Sequence, residues 1–149
     1  MKQHIPPSQS LMAGMTKQQD GCEYIYLYSA AARTAKTPYW HSTNDASGIP
    51  TAEAITLGAK NKIGYVVFAT ETATSAGYQR FTMKGIVDEA IVDTGSYVAL
   101  DMIGLYDSAC TPSTATTVTP DDFAVSLETA STTTPDIYLL GREIIVDGA

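Results

Sequence analysis

The chain has 149 residues, a net charge of −7 at neutral pH and a predicted isoelectric point near 4.6. This length suits one domain with a real core, and the negative charge argues against duplex nucleic acid, which would repel it. No apolar run approaches the roughly 20 residues of a membrane span, and the first residues lack the apolar core of a signal peptide. We therefore expect synthesis in a cytoplasm and no membrane or nucleic-acid partner.

Residues 1–21 are predicted to form an extended N-terminal arm. They contain Pro6-Pro7, several Ser and Gln residues and no periodic pattern, and such a segment cannot fold alone. A segment that never docks has little reason to carry large apolar side chains. We therefore expect the arm to become ordered on a neighbouring subunit or another partner, with a plain disordered tail as the alternative. The expected anchors are Ile5, Leu11, Met12 and Met15.

The sequence CEYIYLYSA at 22–30 predicts the first strand, because aromatic and β-branched residues at this density favour β structure. Both faces are apolar or aromatic, so both are expected to be covered. Tyr24, Tyr26 and Tyr28 share one face. Aromatic rings with polar tips are typical of protein interfaces, so these three residues are candidate partner-binding residues.

Further strands are predicted wherever a short apolar or alternating run lies between turn signals. A possible helical turn at 30–36 precedes them. The strands are TPYWHST at 37–43, AEAITL at 52–57, IGYVVFAT at 63–70, YQRFTMKG at 78–85, IVDEAIV at 86–92, SYVALD at 96–101, FAVSLE at 123–128, DIYLLG at 136–141 and EIIVDG at 143–148.

The connections carry turn chemistry. DTG at 93–95 is typical of a hairpin between the strands on either side, with Gly95 at positive φ. The Thr-rich stretch at 109–122 is expected to be a surface loop. The most apolar run, 63–70, is expected to be a core strand.

Nine or ten short strands at this spacing predict an all-β fold. We expect a compact antiparallel β-barrel or sandwich, jelly-roll-like or tulip-like, over residues 22–149, with the arm at 1–21. The expected core residues are Ile63, Val66, Phe68, Phe81, Ile86, Val98, Leu100, Val125 and Leu139.

The residues that carry chemistry are sparse. The two histidines, His4 and His41, form no metal-binding or triad motif, and His41 is expected to be a packed or surface residue. The DTG at Asp93 matches an aspartic-protease motif, but that mechanism needs a second, paired carboxylate. We therefore predict no catalytic residue, cofactor or metal. Cys22 and Cys110 form no CxxC pair; a disulfide is open, and two buried free thiols are favoured.

The order of segments resembles the decoration, or cement, proteins of tailed-phage capsids. The resemblance covers roughly residues 22–141 and consists of glycine turns and apolar strands. It runs through CEYIYLYSAAARTAKT, DASGIPTAEA, IGYVVFATETATSAGYQRFTMKGIVDEAIVDTGSYVALD, GLYDSA and FAVSLETASTTTPDIYLLG. It implies a small β-barrel or sandwich on the capsid exterior, commonly a homotrimer, that clamps neighbouring major capsid proteins, with no catalytic residues.

Two other functions remain open. One is a receptor- or glycan-binding virion module, such as the base of a head fibre, for which Tyr39 and Trp40 would form an exposed aromatic platform. The other is a small β-fold hydrolase that depends on Asp93 or His41. All of Tyr39, Trp40 and the three tyrosines at 24–28 are therefore candidate partner-binding residues.

Overall fold

The chain is all-β and antiparallel, as the strand spacing predicts. The computed structural model describes residues 13–43, 48–55, 62–92, 95–105, 112–115, 120–132 and 134–146. Those residues contain twelve strands and no helix, and so no helix of the length and apolarity needed to cross a membrane. The strands are β1 Thr16–Gln19, β2 Cys22–Ser29, β3 Pro38–Ser42, β4 Lys62–Ala69, β5 Gly77–Val87, β6 Gly95–Tyr97, β7 Met102–Leu105, β8 Pro112–Ala115, β9 Asp122–Ser126, β10 Ala130–Thr132, β11 Ile137–Leu140 and β12 Ile144–Val146.

Strand β5 is the centre of a branched ten-stranded sheet. One path runs in the order β1-β2-β5-β11-β9-β7-β8, and β4, flanked by β3 and β12, joins β5 beside this path. The branch is possible because β5 is long: its middle pairs with β4, and its last four residues pair with β11. β6 and β10 form a separate two-stranded sheet. The ten-stranded sheet does not close into a barrel, and residues of both branches share the larger core, an arrangement compatible with a sandwich.

Strand β4 is buried on both faces and separates two cores. Val66 and Phe68 point into the larger core, where they meet side chains of β7, β9, β11 and β12. Val67 and Ala69 point the other way, into a smaller core shared with β2 and β5. Alternate residues of a strand face opposite sides, so an uninterrupted apolar run is what a doubly covered strand requires. The expectation of a core strand here is confirmed.

The first strand lies inside the segment predicted to be an arm. β1 pairs with β2 from Thr16↔Ile25 to Gln19↔Cys22. The connecting residues Asp20 and Gly21 have φ of 53° and 77°. Positive φ at both central residues is the pattern of a two-residue type I′ hairpin, for which Asp-Gly is a preferred sequence. The structure thus corrects the extent of the arm: 16–19 form a strand of the sheet, 20–21 form its turn to β2, and residues 1–12 lie outside the described residues.

Replacing Gly21 tests this hairpin. No heavy atom lies within 4 Å of the place where a Cβ would stand, so Gly21→Ala affects only the backbone conformation. A left-handed conformation costs about 1–2 kcal/mol for a residue with a Cβ. We expect urea denaturation to show a loss of about that size in the free energy of unfolding. Gly21→Asn should lose less, because Asn tolerates this region; equal stability of the Ala variant would contradict the turn.

Two predicted connections differ in the structure. β5 ends at Val87, which pairs with Ile137 of β11, so the strand predicted for 86–92 stops after two residues. β6 pairs with β10, so the hairpin predicted around 93–95 is wrong. The turn residues at 93–95 do not produce a hairpin, and β11, which is distant in sequence, pairs with the end of β5. Asp93 itself lies outside the described residues.

Other segments differ in detail. Residues 30–36 contain no helix; Arg33 instead forms an isolated bridge with Ala73. Residues 112–115, within the predicted Thr-rich loop, form β8 at the edge of the sheet. The strand predicted at 52–57 is reduced, in its described part, to one bridge of Glu53 with Trp40, and a second bridge joins Thr51, just before it, to Tyr28.

The predicted core is correct only in part. Val66, Phe68, Phe81 and Leu139 are buried, as expected. Ile63 and Val125 are partly buried. The expectation for Ile86, Val98 and Leu100 is wrong: they are 58%, 50% and 77% exposed.

Two of these errors have a local cause. Along β5 the odd-numbered residues from Gln79 to Val87 are buried, so Ile86 lies on the face opposite to that of Phe81 and both could not be core residues. Leu100 lies in a turn closed by the bond from the Asp101 amide to the Val98 carbonyl, with φ of 73°. The turn lifts its side chain off the core.

Candidate functional site

A partly exposed aromatic surface lies on the outer side of β2 and β5. We call it the tyrosine face and define it by Tyr24, Tyr26, Tyr28, Tyr78 and Arg80. On β2 the three tyrosines are half-buried, and the alternate residues point into the smaller core. The register places Tyr26 opposite Arg80, and Tyr28 opposite Tyr78. Directly opposite residues of an antiparallel pair share a face, so pairing of β2 with β5 assembles this surface.

The rings of the tyrosine face contact one another. Tyr28 and Tyr78 have ring centroids 5.0 Å apart and tilted by 55°. Tyr26 stacks diagonally on Tyr78 at 5.9 Å, with an interplanar angle of 11°. Aromatic pairs at these separations attract each other beyond the area that they bury. The face is therefore held in place before any partner arrives, which lowers the entropic cost of binding.

Arg80 supplies the positive charge of the face. Its guanidinium carbon lies 5.1 Å from the centroid of the Tyr24 ring, a cation–π distance. Its Nη1 donates to Oε1 of Gln19 in β1 at 3.3 Å. Partial burial, followed by the neighbouring Cys22 thiol, raises the pKa of the Tyr24 hydroxyl, although Arg80 acts in the opposite direction. The hydroxyl is thus neutral at physiological pH and can donate a hydrogen bond to a partner.

Met15 lies beside the tyrosine face. Its carbonyl accepts a hydrogen bond from the Tyr26 amide at 3.0 Å, and its side chain is 60% exposed. The structure therefore brings together four of the predicted partner-binding residues, Met15 and the three tyrosines of β2. The other predicted anchors, Ile5, Leu11 and Met12, lie outside the described residues. Sequence reasoning missed Tyr78 and Arg80. Their alternation in YQRFTMKG was visible, but the sequence did not show that their strand pairs with β2.

Tyr39 and Trp40 do not form a surface platform. Trp40 is 3% exposed and packs in the larger core, whereas Tyr39 points into the smaller core. The Tyr39 hydroxyl accepts a hydrogen bond from the Thr34 amide at 3.1 Å, and its ring meets Phe81 edge-on. Both residues belong to β3, which, like β4, has a core on each side. Their prediction as exposed partner-binding residues is corrected accordingly.

His41 is a packed residue in the structure. It is buried, its Nδ1 lies 3.0 Å from the Thr51 carbonyl oxygen, and its ring stacks on Tyr65. Burial lowers the pKa of His41, and the hydrogen bond to Thr51 opposes this effect only in part. Among the described residues no three His, Cys, Asp or Glu side chains gather as metal ligands would. Cys22 is a free, half-buried thiol, and Cys110 lies outside the described residues.

The lowered pKa of His41 predicts a pH dependence of stability. Because the folded-state pKa lies below the unfolded value near 6.5, the unfolded state binds more protons and folding is favoured at higher pH. We expect the free energy of unfolding to fall as pH drops below about 6.5. His41→Gln keeps a donor for Thr51 but does not titrate, so its stability should fall less between pH 7.5 and about 5.5. Parallel pH profiles for the two proteins would contradict this assignment.

Comparisons with known proteins add nothing to this geometry. Neither family models, nor curated proteins, nor solved structures give a match to the chain. The tyrosine face must therefore be interpreted from its own chemistry.

Proposed function

We propose that the chain is a structural virion protein that binds the outer surface of a phage capsid through the tyrosine face and cements neighbouring major capsid proteins. The observation that carries the proposal is the cluster of four partly exposed tyrosines with the exposed Arg80. Tyrosine and arginine are enriched in the parts of interfaces that contribute most binding energy. The all-β architecture and the resemblance of residues 22–141 to decoration proteins support the same function.

The composition of the face suits a protein surface as partner. Tyrosines offer large apolar area with few rotatable bonds, and their hydroxyls keep a hydrogen bond available after water is excluded. Arg80 can meet a carboxylate at the rim of such a contact. A face of this kind requires no chemical reaction at the surface; its function is to bind.

Assembly as a homotrimer would strengthen this binding. Each tyrosine face contributes a modest affinity, but once one subunit has bound, the next contacts become intramolecular. Three faces on neighbouring capsid subunits then resist separation together. This is how a small protein could hold capsomers against the outward stress of packaged DNA.

The test is co-sedimentation with empty heads built from the major capsid protein of the same phage. We expect the protein to sediment with the heads, and Tyr26→Ser combined with Arg80→Ser to weaken binding at least tenfold, or about 1.4 kcal/mol per site. The matched control is Leu100→Ser, which removes the most exposed large apolar side chain of the described residues, at a site outside the tyrosine face. Light scattering should give the mass of three chains.

Two results would reject the proposal. One is that the Tyr26 and Arg80 double variant binds heads as tightly as the unaltered protein and the Leu100 control do. The other is failure of the unaltered protein to sediment with heads at any ionic strength. A monomeric mass with intact head binding would reject only the trimer.

A further inference from the structure

A small apolar cleft lies at the end of the tyrosine face. Its volume is about 320 Å³, and its two walls are residues 28–32 and 51–54, with Tyr39 between them. Half of the lining side chains are alanines. Ligand pockets span about 300–1,000 Å³, so this cleft is at the small end and suits one or two apolar side chains.

The N-terminal segment enters the described structure next to this cleft. The Gly14 amide donates to the Tyr26 carbonyl at 2.6 Å, which ends the pairing of the first strand with β2. Gly14 also lies against Pro50: a Cβ at Gly14 would stand 2.9 Å from Pro50 Cγ. Pro50 directly precedes Thr51, the first residue of one wall of the cleft.

The edge of β2 is closed beyond this point. The Tyr28 amide donates to the Pro50 carbonyl at 3.2 Å, and the Ala52 amide donates to the Tyr28 carbonyl at 2.8 Å. Residues 50–52 therefore occupy the backbone groups that a longer first strand would need. Continuation of the first strand along β2 is therefore blocked at Pro50, next to the wall of the cleft.

From these contacts we infer that the chain's own Leu11-Met12 pair docks in the cleft. An extended chain advances at most about 3.3–3.6 Å per residue, so two or three residues before Gly14 reach about 7–11 Å, enough to pass Pro50 and reach Thr51. Adjacent side chains of an extended segment point to opposite sides. With two adjacent apolar residues, one faces the cleft whichever way the segment turns.

Tethering favours this occupant over a foreign side chain. A segment joined to the domain by two residues has an effective concentration in the millimolar range, which a free partner rarely reaches. The inference is independent of capsid binding, because the occupant and its receptor site belong to one chain. Residues 1–10 would remain available to bind a partner, as predicted for the arm.

The test uses the full chain with ¹³C-labelled Leu and Met methyl groups. We expect nuclear Overhauser contacts from a Leu11 or Met12 methyl to the rings of Tyr28 or Tyr39. Ala31→Asp, which puts a charge at an exposed position lining the cleft, should abolish them. The control is Ala99→Asp, an exposed alanine outside the cleft, which should leave them intact.

Limited proteolysis with thermolysin gives a second reading, because this protease cleaves before Leu11. We expect cleavage there at least tenfold faster in Ala31→Asp than in the unaltered protein or in Ala99→Asp. If Ala31→Asp fails to fold, Ala54→Asp on the opposite wall replaces it. Equal cleavage rates, or methyl groups without contacts to either ring, would overturn the inference. Contacts found only between differently labelled molecules would overturn it too, since the occupant would then be a second copy.

Discussion

Phe68→Ala is expected to lower the free energy of unfolding by about 3–5 kcal/mol, the usual cost of truncating a fully buried Phe. The Phe68 side chain has no exposed surface and lies in the larger core. Its ring is 6.4 Å from that of Phe123 in β9, so it joins the β4 branch of the sheet to the opposite branch. The substitution leaves a cavity at this junction, and rigid strands on both sides limit its collapse.

Urea denaturation followed by circular dichroism measures this loss. The control is Ile86→Ala, because Ile86 is more than half exposed and should change stability by no more than about 0.5 kcal/mol. A cost below about 1 kcal/mol for Phe68→Ala would show that this residue is not a core residue. Phe81→Ala tests the smaller core in the same way and should lose a similar amount.

Gly64→Ala is expected to destabilise the sheet to a comparable extent. A Cβ at position 64 would stand 2.2 Å from the backbone oxygen of His41 and 3.0 Å from Cα of Ser42. These are backbone atoms of β3, so no side chain can rotate away. Gly64 also pairs with Ile144 on its other edge, which prevents β4 from moving aside. We expect a loss of about 3 kcal/mol, at the upper end of overpacking costs.

The matched control for this prediction is Gly48→Ala. No heavy atom lies within 4 Å of a Cβ at Gly48, and its φ lies outside the left-handed region. Its substitution should be neutral or slightly stabilising, because Ala restricts the unfolded chain. Comparable melting temperatures for the Gly64 and Gly48 variants would mean that β3 and β4 are farther apart than the structure has them.

The sequence by itself was enough for the fold class and for most strands. Strands of eight residues or more, such as β2 and β4, are dense in aromatic and β-branched residues, and that local preference agrees with their burial in the fold. Part of the tyrosine face could be predicted for the same reason, because a period of two along β2 puts its three tyrosines on one side. Tyr78 and Arg80 joined them only through the register of β5, which no local pattern specifies.

Only the tertiary structure decided what each apolar residue does. Trp40 and Leu100 look alike as isolated apolar residues, yet the first is 3% and the second 77% exposed. Trp40 lies in a strand covered on both faces, whereas Leu100 lies at the tip of a turn. The hairpin predicted around 93–95 does not form, and β11, about 50 residues away, pairs with the end of β5 instead. Local sequence sets backbone preference over a few residues, but burial depends on which distant strands meet, and that is settled by packing of the whole chain.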